Sequence, residues 1–538
     1  MLDWNQYEFF GILPRLRGKQ LPRGYATVAH NVDLTHGTLL PFREPLKVKE
    51  LNNAIRLYVR GCDIYAFDKC VEVAEWLPDC PRLFVTGRVG YPETVELDGE
   101  NMTFRRLGVI QPVTPPDVQP IYINTAKSRS VAYVVTFVNY FGEESAPSLP
   151  SIDISIEDGT AVGISLNYNP PIEYDIKSMR IYRRETGFRT GAEKEQEMVT
   201  NWFLIGEVSG TSAFITDTVT IAGVGYGLTT QEVREPPKNM RNITNIEETA
   251  ILAGSVANKL YFSQNLQSYN FPLSQEMTLD DSIVAMQSVG NTLYVATDGY
   301  PYQVVGDVGC DSRECRQVNK YDIPMPMIAC HTGRGSTKTP FGMVYVSADG
   351  LVLLSGNTQR IITTDVFSAD DWRRLAPHTM RLAFHKGAIY CVSEVISFVL
   401  WLDSETYQDS KHKRLVTIED EPIDMVETRQ GELLLLLEDG AYQWNAGSTW
   451  RPYKWVSSDI DSPFLYCITR IRLKVNEFGV RCNLQSSVGE VVRDFPVGDS
   501  IIPFSRLGRH KVYNIEITGI GEVTEIDVGV SQLDMASK

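Results

Sequence analysis

The chain has 538 residues, of which 43% are hydrophobic and 22% charged, an ordinary globular balance, and at ~150 residues per domain its length suggests three or four domains. Its 40 glycines and 28 prolines lie near average usage, which excludes collagen-like and low-complexity classes. The 51 basic residues against 67 acidic ones leave a net charge of −16, which argues against a protein that coats DNA or RNA by charge.

Read in chain order, the opening Met-Leu-Asp-Trp-Asn-Gln-Tyr-Glu lacks the basic and apolar regions of a secretory signal. Ile55 to Asp68 reads as a β-hairpin. A Pro-rich linker, Pro112 to Pro120, leads into a stretch of about 121–235 with strands at Val131–Val138, Ser178–Arg184, Trp202–Val208 and Ser212–Asp217. That spacing and size fit an immunoglobulin-like or fibronectin-like sandwich inserted into a larger fold, and Asn139-Tyr-Phe-Gly-Glu-Glu-Ser-Ala-Pro-Ser is similar to a fibronectin type III loop. Pro236-Pro237 closes the insertion. Another hairpin, Ile251 to Ser263, then precedes the clearest periodicity of the chain.

Gly290, Gly342, Gly387 and Gly431 each precede a short apolar strand, at intervals of 52, 45 and 44 residues. Three of the four units continue into Asp-Gly and a further strand, at Asp298-Gly299, Asp349-Gly350 and Asp439-Gly440. A four-stranded blade takes roughly 40–50 residues, so this spacing predicts a β-propeller; evenly spaced hairpins of a β-sandwich are the alternative. Helical periodicity is scarce. The best short helix starts after Ser368 as N-cap, with Asp371 at N3, and ends before Pro377. From about Ser457 the chain is strand-like again.

The expected fold class is all-β: a propeller-like core with an inserted immunoglobulin/fibronectin-like sandwich and a C-terminal β-rich segment. The expected division is 1–120 as an N-terminal propeller part, 121–235 as the insertion, 236–456 as propeller blades, and 457–538 closing the ring or forming a small sandwich.

Catalytic and binding motifs return near-misses. Gly333-Arg-Gly-Ser-Thr-Lys-Thr-Pro lacks the glycine directly before the lysine of a phosphate loop and is expected to be a polar loop. Gly210-Thr-Ser-Ala-Phe lacks the closing glycine of a nucleophile elbow. His378 and His385 stand seven apart without a helix between them. Cys310 and Cys315 have no second pair to complete a zinc site, and the nine cysteines read as reduced thiols. Asp370-Asp371 is explained as charge at a helix N-terminus, Asp280-Asp281 as turn residues, and Lys411-His-Lys-Arg as a solvated loop. Ser347-Ala-Asp-Gly departs from the sialidase box, and no blade ends in Trp-Asp. The longest apolar runs, Val395 to Leu402 and Leu433 to Leu437, fall far short of the ~18 residues of a spanning helix. No catalytic residue, cofactor, metal site or membrane-spanning segment is expected.

Gly11-Ile-Leu-Pro-Arg-Leu, Ala29-His-Asn-Val-Asp-Leu and Gly37-Thr-Leu-Leu-Pro together resemble the N-termini of tail nozzle (tail tubular B-like) proteins of short-tailed bacteriophages, the podovirus tail. Arg82-Leu-Phe-Val-Thr-Gly-Arg-Val-Gly-Tyr-Pro, Leu293 to Gly306, Val346 to Gly356 and Arg451-Pro-Tyr-Lys-Trp look like later segments of the same family. The resemblance implies a non-enzymatic structural virion protein, assembled in the host cytoplasm as a homohexamer below the portal and adaptor rings. It would be a conduit for genome ejection, with the head-to-tail adaptor, and tail fibres or other tail proteins, as partners. Double-stranded DNA would pass without specific binding, and the negative charge leads to the expectation of an acidic lumen. The alternative is a carbohydrate-binding or depolymerising propeller tail protein.

Overall fold

The computed structural model describes residues 4–77, 80–121, 129–156, 160–186, 201–218, 225–247, 249–306, 313–318, 323–330, 333–402, 414–504 and 507–530. The chain is all-β, with one short α-helix, Ala369–Arg374, among the described residues. Seven sheets stand in a ring, numbered here as blades in chain order. Blade 1 is the hairpin Arg56–Arg60 and Asp63–Phe67, and blade 2 is the meander Glu72–Glu75, Arg82–Thr86, Glu93–Asp98 and Asn101–Arg106. Blade 3 runs from Arg241–Asn245 to Glu276–Thr278, blade 4 from Ile283–Val289 to Glu314–Gln317, and blade 5 from Ser336–Thr339 to Thr358–Ile361. Blade 6 runs from Arg381–His385 to Leu415–Ile418. Blade 7 contains Asp424–Glu427, Leu433–Leu437 and Gly440–Gln443, completed by Leu46–Glu50 as its outer strand. The first strands of successive blades are neighbours from blade 2 to blade 7, and blade 7 lies against blade 1.

Alternation along a strand explains why the blade strands read as unbroken apolar runs. Successive side chains point to opposite faces, and here both faces are covered. In blade 4, Leu293 and Val295 pack into the layer shared with blade 3, beside Leu260 and Phe262, whereas Tyr294 and Ala296 pack into the layer shared with blade 5, beside Tyr345 and Val352. Equivalent layers separate blades 5 and 6, 2 and 3, 1 and 2, and 7 and 1. Three of the four repeating glycines mark the same point in blades 4, 6 and 7: Gly290, Gly387 and Gly431 hold φ of 56°, 79° and 76° in the turn between first and second strands, while Gly342 opens the second strand of blade 5. The left-handed conformation is one that glycine adopts without steric cost.

The insertion forms two facing sheets. One has the order Asp117–Pro120, Val162–Asn167, Ser212–Asp217; the other has Ile154–Ile156, Arg129–Asn139, Ile176–Thr186, Phe203–Ser209. Val131, Tyr133, Val135, Phe137, Ile164 and Met179 fill the space between them. Along the 129–139 strand lies Ser145-Ala-Pro-Ser-Leu-Pro-Ser, whose Ser145, Ser148 and Ser151 amides donate to Phe137, Val135 and Tyr133 carbonyls at 2.8–2.9 Å. Their hydroxyls accept from the same three residues' amides. The prolines, which lack an N–H to donate, fall between these contacts.

The N-terminus departs from the sequence expectation. Trp4–Gln6 pairs with Glu522–Gly529, and Ala26–His30 lies between Tyr453–Ser457 and the outer strand of blade 6. The first forty or so residues are therefore woven into the C-terminal part, and the ring takes up the chain from Leu46. The outer strand of blade 7 comes from Leu46–Glu50, and none of the described residues from 457 onward pairs into that sheet. The described C-terminal strands form a sandwich of two sheets. One contains Trp4–Gln6, Glu522–Gly529, Arg470–Asn476 and Gly498–Pro503. The other continues blade 6 through Ala26–His30, Tyr453–Ser457, His510–Gly519, Val480–Ser486 and Glu490–Phe495. Strand partners this far apart in sequence leave no local signal, which is why the hairpin pattern alone misplaces them.

Candidate functional site at the ring axis

The first strand of each blade faces the axis, where a cavity of about 200 Å³ is lined by Arg56, Glu72, Asn242, Gln287, Arg334 and Val426 among others. At its edge sits Asp424, the first residue of the inner strand of blade 7 and fully buried. Its Oδ2 accepts the Leu57 amide at 2.8 Å, and its Oδ1 lies 3.0 Å from Arg334 Nε and 3.4 Å from Arg56 Nη1. Arg56, itself 3% exposed, also donates from Nε to the Val71 carbonyl at 2.9 Å and from Nη2 to the Gly333 carbonyl at 3.2 Å. One carboxylate thus ties the inner edge of blades 1 and 7 to the loop before blade 5. Burial, with the nearby Arg334 guanidinium, pulls the Arg56 pKa below the usual arginine value. A buried charge of this kind is held only where its partners stay in place.

Further along the axis, Tyr58 donates to Glu75, which Arg429 of blade 7 also contacts. Burial, reinforced by the Glu75 hydrogen bond, raises the Tyr58 pKa far above the ordinary phenol value, so the phenol stays protonated. Asn242, at φ 56°, sits in a bulge of the blade 3 inner strand and donates to Ser255 Oγ at 2.9 Å. The axis of a single chain is therefore crossed by ion pairs and hydrogen bonds. It offers a small polar cavity rather than a bore.

The residues singled out in the sequence are dispersed. Gly333-Arg-Gly leads into Ser336–Thr339, the inner strand of blade 5, so the phosphate-loop lookalike is half loop and half strand; its Arg334 belongs to the axial cluster. Gly210, at φ 79°, turns the chain from Phe203–Ser209 in one sheet of the insertion to Ser212–Asp217 in the facing sheet. Ser368 Oγ accepts the Asp371 amide at 3.1 Å at the start of Ala369–Arg374, and Asp370 and Asp371 lie in that first turn. Asp281 Oδ2 accepts the Tyr300 amide at 3.0 Å, a turn role. His378 lies in the turn Pro377–Thr379 and His385 ends a blade 6 strand. Cys310 and residues 411–413 of the basic cluster lie outside the described residues, while Arg414 donates to the Thr35 carbonyl at 2.9 Å. Burial pushes the Cys315 thiol up to about 11. No cluster of metal-ligating side chains occurs among the described residues, and no helix there is long and apolar enough to cross a membrane.

Sequence reasoning missed Arg56, Arg334 and Asp424. Arg56 and Asp424 stand 368 positions apart. The only local signal is a charge at the head of an otherwise apolar strand, in Arg56-Leu-Tyr-Val and Asp424-Met-Val.

Fold and axis together define an all-β chain with a seven-sheet propeller-like ring, one sandwich inserted in it and a second continuous with it. Neither a family model nor a curated protein matches the chain. Among solved structures it is similar to the extracellular domain of a one-component system, BT4673, of B. thetaiotaomicron, at 11% identity and a TM-score of 0.24. That match covers 67% of this chain and 43% of the other, so the chain spans less than half the length of that relative.

Proposed function

We propose that this chain is a structural virion protein, the tail nozzle of a short-tailed bacteriophage, acting as a homohexameric conduit attached below the portal and adaptor rings. Two things support the reading: the sequence resemblance, and the state of the ring axis. The Arg56–Asp424–Arg334 cluster and a cavity of only about 200 Å³ occupy the centre of the propeller-like ring. Double-stranded DNA, with grooves of ~12 and ~6 Å, cannot thread one chain, so a conduit built from this protein lies between copies. The continuous sheet that joins blade 6 to the C-terminal sandwich suits such a wall, because it denies the two parts a hinge. Residues 11–41, which carry much of the resemblance, run through that junction: Ile12 donates to Leu415 of blade 6 at 2.9 Å, and Leu39 exchanges 3.0 Å hydrogen bonds with Val523 of the sandwich.

In this reading the protein has no catalytic turnover, its lumen is predominantly acidic, and loops at one rim meet the adaptor. Each Lys or Arg that captured a phosphate would add salt-dependent affinity and slow transit. The deciding experiment is native mass spectrometry joined to imaging of the purified protein. Six copies of 60.5 kDa give about 363 kDa and a ring with a central opening. A monomer, a ring too narrow for a duplex, or tight salt-sensitive DNA binding overturns the proposal. Release of reducing sugars from host polysaccharide, abolished by one carboxylate substitution, supports the depolymerase alternative instead.

A further inference from the structure

A second pocket, of about 320 Å³, opens at the seam between blades 6 and 7 and shares no lining residue with the axial cavity. Aromatic side chains face it: Tyr390 and Trp401 from blade 6, and Trp444 just after the third strand of blade 7. The Tyr390 and Trp444 rings meet edge to face at 5.8 Å, and each of the three residues is 5–7% exposed. Phe42 and Leu433 extend this apolar part, and polar groups come from His385 and Lys386, from Glu432, and from Asp33 of the N-terminal segment.

Two features of this lining are unexplained by folding. His385 is 6% exposed, and its Nδ1 lies 3.0 Å from Glu427 Oε1. Its other nitrogen, Nε2, makes no hydrogen bond with the described residues. Burial lowers the imidazole pKa against the pull of Glu427, so the ring is neutral, Nδ1–H donates to Glu427, and Nε2 is left as an acceptor. Lys386, beside it, holds φ of 45° in a two-residue turn completed by Gly387. Such turns favour Asn, Asp or Gly, and a lysine kept in a left-handed conformation is a strained choice that places a long cationic side chain on the pocket wall.

Donors and acceptors alternate around this pocket. Asp33, Glu432 and His385 Nε2 accept; Lys386 donates; the Gln443 and Asn445 amides can do both. An inorganic anion would meet two carboxylates, and an apolar ligand would strand the polar wall without partners. The ligand that matches is uncharged, with hydroxyls around its rim and C–H groups on its face. We propose that the seam pocket binds a pyranose saccharide, which packs against the Tyr390, Trp401 and Trp444 floor, donates a hydroxyl to His385 Nε2 and accepts from Lys386. No bond is made or broken.

The inference does not rest on the nozzle reading; a hexameric ring without sugar binding defeats this proposal and leaves that one standing. The test uses the full chain, titrated with glucose, galactose, N-acetylglucosamine and lactose at millimolar concentration, read by ligand-observed NMR and tryptophan fluorescence. At least one sugar is expected to saturate. H385Q and K386G are expected to weaken it at least ~10-fold, the worth of one good polar contact. K386G relieves the turn and keeps the fold, so its melting temperature should hold or rise, and it decides the matter if H385Q folds poorly. Saturation by none of the four sugars, unchanged affinity in K386G, or binding of adenosine at this pocket in their place overturns the proposal.

Discussion

Blades 3 and 4 meet through a dry layer of Leu260, Phe262, Leu293 and Val295, whereas the inserted sandwich meets blade 2 through arginines. Arg82 pairs with Glu143 at 2.7 Å and lies 4.5 Å from the Phe141 ring. Arg105 reaches Asp175 at 3.0 Å and stacks 3.9 Å from Tyr140. Arg106 contacts Glu235 at 3.3 Å and lies 4.4 Å from Tyr174. The apolar layers stabilise in proportion to the area they remove from water. The Arg82, Arg105 and Arg106 side chains are largely buried, so their pairing mostly offsets the cost of taking charge out of water and fixes orientation rather than adding net stability. A ring of blades is therefore one cooperative body, since no blade can hide its faces alone. The insertion, with its own Tyr133–Phe137 core, is a separate body held at a set angle.

The comparison can be broken most directly at the axis. Asp424→Ala leaves the buried Arg56 guanidinium without its carboxylate counter-charge and the Leu57 amide without its acceptor, and should cost about 3–5 kcal/mol, seen as a large fall in melting temperature. A loss no greater than that of an exposed substitution would remove Asp424 as the tie of the ring. Phe262→Ala opens a cavity in the layer between blades 3 and 4 and is expected to cost about 3–5 kcal/mol in urea titration. The unfolding transition should remain single, because the blades share it.

Excision of residues 109–234 sharpens the contrast. The strands enter and leave side by side: a Cβ on Gly108 would stand 2.7 Å from Pro236 Cδ. A short glycine linker there should yield a soluble ring whose melting temperature changes by only a few degrees. Insoluble protein would show that the insertion is part of the ring's stability. Tyr140→Ala removes the ring over Arg105 at the docking contact, and should cost about 0.5–1 kcal/mol, detected as faster proteolysis of the insertion while the blades stay intact.

The smallest expected effect is in pH. Burial lowers the pKa of both His30 and His385 in the folded chain. Below about 6.5, the ordinary histidine value, the unfolded chain binds protons that the folded one refuses. Stability should therefore fall as pH drops through that value and be flat above it. H385Q should flatten part of the slope; an unchanged slope would exclude His385 as a contributor.

What could be read from sequence follows the range of the forces. The Gly290, Gly342, Gly387 and Gly431 spacing and the period-two strands are local, and they describe the blades; so are the Ser368 cap and the Asn139–Ser145 loop. The axial tie is not local, since Arg56 and Asp424 become neighbours only when the ring closes. The two-stranded blade 1 was visible as a hairpin, but its place between blades 7 and 2 was not. The seam pocket combines residues from three distant segments, and only Lys386, in a turn that favours glycine, carries any mark in the sequence.

Leu46–Glu50 completing blade 7, and Trp4–Gln6 pairing with Glu522–Gly529, bear on the order of events during synthesis. At 5–20 residues per second, these strands wait roughly twenty seconds to two minutes for partners several hundred residues downstream. Contacts of such sequence separation form slowly, because the loop must close before any pairing rewards it. The outer edge of blade 7 and the seam with the sandwich are then among the last surfaces to form. A chain interrupted before them would present unfinished sheet edges to its neighbours. Ribosome-bound intermediates are thus the species a chaperone would have to shield.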